Sequence, residues 1–100
     1  MTPFSSEQII NPEKLLQRRD NTLFSEIDQE IVLMSIENSE YYGLDQIGSH
    51  IWQLIEKPIS LNELIGILMN EYDVTREQCM EDTLSFLAML AEKNLILVKG

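Results

Sequence analysis

The apolar positions between residues 22 and 44 form the short runs that are typical of β-strands. Residues 22–27 are mixed, residues 30–36 form a nearly continuous apolar run with β-branched side chains, and residues 40–44 form a third short run. Turns at Asp28-Gln29 and Asn38-Ser39 separate these runs. Because turns this short join antiparallel strands, the pattern predicts a three-stranded antiparallel meander. Its first and third strands would be edges with unpaired N–H and C=O groups.

Beyond residue 44 the apolar positions recur with the period of α-helices. Three segments with this period each follow a residue that favours an N-cap, and two of the caps have the spacing of a capping box. The predicted helices cover residues 46–56, 61–72 and 76–93, begin after Asp45, Ser60 and Thr75, and precede an extended apolar segment at 95–98. The predicted order is βββααα followed by one strand, an α+β fold.

The third predicted helix is more apolar than one core face requires. Its apolar residues spread over an arc of roughly 160°, wider than the usual stripe of about 100°. Two interpretations fit this width. The helix is buried on two sides, or one shoulder formed by Met80, Thr83, Leu84 and Leu87 lines a groove that a partner fills.

The charge balance limits the partners that fit such a domain. The chain of 100 residues has 17 acidic and 7 basic side chains, a formal net charge of −10 and a pI near 4.3. Duplex nucleic acid and anionic membrane surfaces would repel it. The sequence shows no apolar run near the roughly 18 residues of a membrane span, no signal-peptide pattern, and a single cysteine. We therefore expect one cytoplasmic domain.

The residues that usually carry catalysis are sparse. His50 and Cys79 are each alone, and we expect Cys79 in the core and His50 on the surface. Glu81 and Asp82 are adjacent on a helix, which splays the two carboxylates apart. Neither a metal-ligand cluster nor a glycine-rich phosphate loop is present in the sequence. The chain is predicted to be no enzyme and to need no cofactor.

The first 20 residues are poorly patterned and contain Pro3, Pro12 and Arg18-Arg19. Residues 13–19 allow one or two helical turns, which are marginal without packing. We interpret residues 1–20 as an N-terminal arm, ordered on contact or frayed, and residues 21–98 as the domain.

Residues 44–55, Leu-Asp-Gln-Ile-Gly-Ser-His-Ile-Trp-Gln-Leu-Ile, resemble the PqqD-like family, also called RiPP recognition elements. The family pattern is Leu-Asn/Asp-x-x-Gly-x-x-Ile-Trp-x-Leu-Leu/Ile. The apolar strand at 31–34, the aromatic strand at 41–44, the helix start at 60–64 and the Tyr72-Asp73-Val74 connection also resemble the family, in the same order. The resemblance covers about residues 20–98. Lys57-Pro58 departs from it, because a glycine-containing turn is common there.

The resemblance implies a winged helix-turn-helix-like fold that binds the leader of a ribosomally made precursor peptide. The leader would add as an extra strand to the third strand and pack against the third helix. The implied contacts are Glu40, Tyr41, Tyr42, Gly43, Leu44, Met80, Thr83, Leu84 and Leu87. Tyr41 and Tyr42 fit equally well as ordinary strand aromatics, and we expect Gly48 and Trp52 in the core.

Stand-alone members of the family resemble adaptors of two pathways. In lasso-peptide pathways the implied partners are a precursor peptide, a transglutaminase-like cysteine protease that removes the leader, and an ATP-dependent macrolactam synthetase. In pyrroloquinoline quinone biosynthesis the partner is a radical-SAM enzyme. The arm with Arg18-Arg19 resembles the lasso adaptors, which favours that pathway.

Two other classes of function compete with this interpretation. A DNA-binding winged helix has a similar helical order, but from residue 46 onward the chain has four basic residues against eight acidic ones. An oligomerisation module would use the same edge strand for self-pairing.

Overall fold

Two antiparallel three-stranded sheets organise the chain in the computed structural model, which describes residues 14–20, 22–36 and 39–99. Three helices accompany the sheets, so the α+β prediction is confirmed. None of the helices in these ranges is long and apolar enough to cross a membrane. The elements are β1 (Leu15–Arg18), β2 (Thr22–Ile27), β3 (Glu30–Ser35), β4 (Glu40–Gly43), α1 (Gln46–Leu54), β5 (Ile59–Ser60), α2 (Leu61–Glu71), α3 (Arg76–Glu92) and β6 (Ile96–Lys99).

The predicted meander is present as the sheet β2-β3-β4. The turn between β2 and β3 consists of Asp28 and Gln29, whose φ angles are 52° and 70°. Two positive φ angles in a two-residue turn match the right-handed twist of the paired strands. β3 alternates between buried and half-buried residues, with Ile31 and Leu33 toward the helices. One face of the meander therefore closes the core.

The second sheet, in the order β5-β1-β6, was only partly predicted. β1 pairs with β6, the predicted final segment, in the register Leu16 with Val98, and with β5 in the register Leu16 with Ile59. Leu16 is 1% exposed and belongs to the core. The prediction of helical turns or a frayed tail over these residues was therefore wrong. The first 13 residues lie outside the described residues, so the boundary at residue 20 stays a prediction.

The three predicted N-caps are confirmed. Asp45 Oδ1 accepts the Gly48 N–H at 2.7 Å. Ser60 Oγ accepts the Glu63 N–H at 3.1 Å, and Thr75 Oγ1 accepts a backbone N–H at the same distance. These bonds satisfy donors that the first helical turn leaves without partners, which explains why the helices begin where the sequence predicted.

Trp52 of α1 lies at the centre of the core with 0% exposure, as predicted. Its ring makes an edge contact with Phe24 of β2 at a centroid distance of 6.0 Å. The Arg18 guanidinium lies 5.4 Å from the Trp52 ring centre and 4.8 Å from that of Phe24. Arg18 also forms an ion pair with Glu56 at 3.7 Å. Arg18, the first of the two adjacent arginines in the predicted arm, thus anchors β1 to the core through cation–π contacts.

A single hydroxyl joins α1 to the end of the meander. Ser49 Oγ accepts the Ile31 N–H at 2.8 Å and donates to the Leu44 carbonyl at 3.3 Å. The Leu44 N–H in turn donates to the Ile31 carbonyl at 2.8 Å. Ser49 therefore takes the place of one ladder hydrogen bond between β3 and the residue that follows β4, and this fixes the end of β4 against the helix.

Replacement of Ser49 with alanine is expected to lower the free energy of unfolding by about 2 kcal/mol, because it leaves the buried Ile31 N–H without its acceptor. Urea unfolding followed by circular dichroism measures the change. Ser85→Ala, at an exposed helical serine, is the matched control and should change stability little. An equal effect of the two substitutions would contradict the role assigned to the Ser49 hydroxyl.

Candidate functional site

β4 is an edge strand, and its hydrogen-bonding groups alternate between β3 and the open side. The bond from the Leu44 N–H to Ile31 sets the phase of this alternation. In an antiparallel ladder every second residue bonds to the partner strand, so Tyr42 pairs inward with Leu33. Tyr41 and Gly43 then direct their N–H and C=O groups away from the sheet. These two residues form the hydrogen-bonding edge that is open to another strand.

The side chains of β4 divide between the two faces of the sheet. Tyr42 is half-buried on the face toward the helices, whereas Tyr41 is 73% exposed on the opposite face. Glu40 and Gly43 are exposed, and Leu44 is buried. A Cβ added to Gly43 would meet no heavy atom within 4 Å. The strand edge is therefore sterically open at Gly43.

One flank of α3 lies against β4 and α1. Lys93, the C-cap of α3, places Nζ 4.0 Å from Glu40 Oε1 and 5.8 Å from the centre of the Tyr42 ring. Phe86 packs against α1, where a Cβ added to Gly48 would lie 3.2 Å from Phe86 Cε1. Gly48 thus permits a close approach of α3 to α1. Phe86 and Lys93 are seven residues apart and therefore lie on one flank of α3, which packs on α1 at Phe86 and reaches β4 at Lys93.

The four residues that the sequence predicted as one shoulder of α3 fall into two groups in the structure. Thr83 and Leu87 are 2% and 0% exposed and belong to the core. Met80 and Leu84 are half-buried on the other flank, in a shallow apolar depression lined by α3 alone. At about 100° per residue, Phe86 falls on the opposite side of the buried stripe. Contact of Met80 and Leu84 with a peptide remains a prediction, but the flank nearest β4 contains Phe86 instead.

The sequence did not single out Phe86 and Lys93 as candidate site residues, because it does not show how the helices pack against one another. Phe86 was one of the residues in the wide apolar arc, so its apolar character was visible. Choosing between the two flanks required the position of β4, which depends on contacts distant in sequence. Gly48 was the one available signal, because a glycine inside a helix indicates close packing, but it does not name the neighbour.

A groove of about 390 Å³ continues from the end of β4 between α1 and α3. Its apolar wall includes Ile47, Ile51 and Phe86, and carboxylates stand on both helices, at Asp45 and Asp82. Asp45 is the N-cap of α1 and Asp82 accepts a hydrogen bond from Gln78 Nε2 at 2.9 Å. The groove begins at Asp45, two residues after β4, and together with the open edge of β4 it makes up the candidate site.

Several titratable side chains outside the groove contact other side chains of the fold. His50, which was expected on the surface, is half-buried. Its Nδ1 lies 3.1 Å from the Tyr72 hydroxyl. Burial raises the pKa of Tyr72 above its usual value of 10.0, and the charges of Glu71 and Asp45 add to the rise. Cys79 is buried in the core, as predicted, with Sγ 4.0 Å from the Thr83 hydroxyl. In the part of the chain that the structure describes, no three His, Cys, Asp or Glu residues are grouped to hold a metal ion.

Comparison with known proteins places this geometry in a family. The model of the family described as coenzyme PQQ synthesis protein D (PqqD) matches residues 30–96. Among solved structures, TbiB1 in complex with the TbiA(beta) leader peptide is 35% identical, with a TM-score of 0.73, and the match covers 80% of this chain and 93% of that one. None of the curated proteins compared with the chain matches it significantly.

Two further solved structures share the fold at lower identity. Lasso peptide synthetase B1 complexed with its leader peptide is 23% identical, with a TM-score of 0.72, over 82% of this chain and 96% of that one. The PqqD truncation of Methylobacterium extorquens PqqCD, a RiPP recognition element, is 19% identical, with a TM-score of 0.72, over 91% and 98%. These two likenesses bear on the fold alone, and they agree with the predicted architecture.

Proposed function

This chain belongs to the PqqD family, and we propose that it is a non-catalytic adaptor that binds the leader of a ribosomally made precursor peptide. The leader adds as an extra strand to β4 and packs against the Phe86 flank of α3. The adaptor then presents the precursor to the enzymes that modify it.

The open edge of β4 carries the proposal. Tyr41 and Gly43 offer main-chain donors and acceptors that no strand of the described chain uses. Main-chain bonds to an added strand supply affinity, and side-chain pockets beside the strand supply specificity. The groove lined by Phe86 begins at Asp45, two residues after β4, so a peptide that extends along β4 and past its end would reach such a pocket.

The relationship to TbiB1 supports the choice of ligand. TbiB1 forms a complex with a leader peptide, and it is 35% identical to this chain over most of both lengths. The charge of α3 supports a peptide over DNA, because the helix contains only Arg76 against four acidic residues, Glu77, Glu81, Asp82 and Glu92. A recognition helix of this charge would be repelled by phosphates.

We further propose that the pathway makes a lasso peptide in the cytoplasm. A transglutaminase-like cysteine protease and a macrolactam synthetase are then the partner enzymes. The second candidate is a peptide chaperone of pyrroloquinoline quinone biosynthesis with a radical-SAM partner, which the description of the matching family favours. Reconstitution with each class of enzyme separates the two, since the adaptor should accelerate only its own partner. The adaptor alone should neither cleave nor cyclise the precursor, and product in that control would contradict the non-catalytic role.

Fluorescence anisotropy with the leader of the precursor encoded beside the gene tests leader binding, with a scrambled leader as the control. We expect saturable binding of the leader alone, together with shifts of the backbone amides of β4 and of the Phe86 flank in an NMR titration. Binding that leaves those amides unmoved would contradict the site. A dimer whose mass is independent of concentration in light scattering would instead favour self-pairing of the β4 edge.

A further inference from the structure

The groove between α1 and α3 combines an apolar wall with two carboxylates. Ile47 and Ile51 of α1 face Phe86 of α3 across it. Asp45 stands at the start of α1 and Asp82 on α3, so the two carboxylates belong to different walls. Both aspartates are exposed residues, and both reach the groove from its rim. Such a lining suits a side chain that has an apolar stem and a charged end.

Within the described residues, no basic side chain balances the charges around the groove. All seven Lys and Arg residues belong to the described ranges, and none of them lines the groove. The ion pairs found within those ranges are Arg18 with Glu56 and Lys93 with Glu40, which leave Asp45 and Asp82 out. The two aspartates instead accept hydrogen bonds from uncharged donors, a backbone N–H and the Gln78 amide. A cation from outside would supply the missing positive charge.

The groove also has a fixed position relative to the strand edge. Asp45 follows β4 by two residues, whereas Lys93 lies at the other end of β4, beside Glu40. A strand added to β4 would therefore run from a balanced ion pair at one end to an acidic groove at the other. Acidic charge at one end alone favours one orientation of a strand that carries a cation and disfavours the reverse.

We propose that this groove is a specificity pocket for one Lys or Arg side chain of the leader, whose stem packs on Ile47 and Phe86 and whose charged end pairs with Asp45 and Asp82. The proposal rests on the proposed leader binding and adds the chemistry that selects the leader. A guanidinium or ammonium group over Phe86 would gain a cation–π contact as well.

Asp45→Asn and Asp82→Asn test the pocket with little change of shape. Asparagine caps a helix as well as aspartate does, so Asp45→Asn should keep α1 intact. Asp73→Asn, at an exposed loop position, removes the same charge away from the groove and is the matched control. We expect each groove variant to bind the native leader about fivefold more weakly, the control to bind normally, and the difference to shrink at high salt.

Leader variants identify the cation. Each Lys of the native leader is replaced by norleucine and each Arg by citrulline, which keep the stem and remove the charge. We expect one of these replacements to weaken binding to the native protein but to weaken binding to the Asp82→Asn variant little further. If the responsive residue is a Lys, or an Arg changed to Lys, carbodiimide should cross-link it to Asp45 or Asp82.

The outcomes separate the pocket from the proposed function. The pocket is overturned, and leader binding stays in place, if the leader binds but no leader replacement depends on Asp82. The same holds if Asp45→Asn, Asp82→Asn and Asp73→Asn lose equal affinity. Absence of leader binding to the unmodified protein overturns both. A cross-link confined to acids outside the groove also overturns the pocket.

Discussion

Replacement of Gly43 with proline is expected to weaken leader binding at least about 30-fold, equivalent to about 2 kcal/mol. Proline removes the N–H of residue 43, which points away from the sheet and is one of the donors available to an added strand. Its ring also occupies the space that the added strand needs. Proline is tolerated on an edge strand where the N–H faces outward, so the meander should persist.

The open surroundings of Gly43 provide a matched control. None of the described glycines has a positive φ, and a Cβ at Gly43 meets nothing within 4 Å, so Gly43→Ala should fold and bind almost normally. Anisotropy titration with the leader measures both variants, and urea unfolding checks that both are folded. Equal affinity of folded Gly43→Pro and Gly43→Ala would contradict strand addition at this edge.

Tyr42→Pro adds an internal check on the phase of the ladder. The Tyr42 N–H points toward β3, so its loss should destabilise the meander itself rather than remove an outward donor. Tyr42→Ala is the reference for this variant, because loss of the half-buried Tyr42 ring is itself destabilising. The further loss of stability with proline reports the inward N–H.

Local signals explain which elements the sequence could predict. The two-residue turn at Asp28-Gln29 and the caps at Asp45, Ser60 and Thr75 depend on neighbours a few residues away, and the structure has them as expected. The edge at β4 followed from strand order in the same way. The turn and the caps depend on residues close in sequence, so pattern and spacing were sufficient.

Distant contacts explain what the sequence could not predict. β1 is a strand because β6, about eighty residues later, pairs with it and because Trp52 and Phe24 hold Arg18. The side of α3 that packs against α1 likewise depends on contacts that are distant in sequence. An apolar arc shows that a helix is widely buried, but it does not show which neighbour covers which side.

The residues that carry the family resemblance act through positioning. Ser49 ties α1 to the end of β4, and Gly48 lets Phe86 approach α1. Trp52 fills the core beneath β2. None of the three needs to touch a peptide, yet together they set the distance between the open edge and the groove. These three residues are thus the scaffold of the site, whereas Asp45 and Ile47 of the same segment line the groove.

Truncation of Phe86 to alanine is expected to weaken leader binding about 30-fold, whereas Leu84→Ala should change it less than about twofold. Both side chains are half-buried on α3, but Phe86 lies on the flank toward β4 and Leu84 on the other. An aromatic anchor beside an added strand is a typical hot spot, because it buries a large area with few rotatable bonds.

The same pair of variants decides between the two flanks. The sequence-based prediction placed the contact on the shoulder that contains Leu84, and the proposal drawn from β4, Gly48 and Lys93 moves it to the flank that contains Phe86. The unfolding free energies of both variants are measured first, and both are then titrated with the native leader. The variant whose residue contacts the leader should bind more weakly than the other. A larger loss for Leu84→Ala would restore the sequence-based site. A larger loss for Phe86→Ala would place the leader between β4 and the Phe86 flank, at the mouth of the groove that contains Asp45 and Asp82.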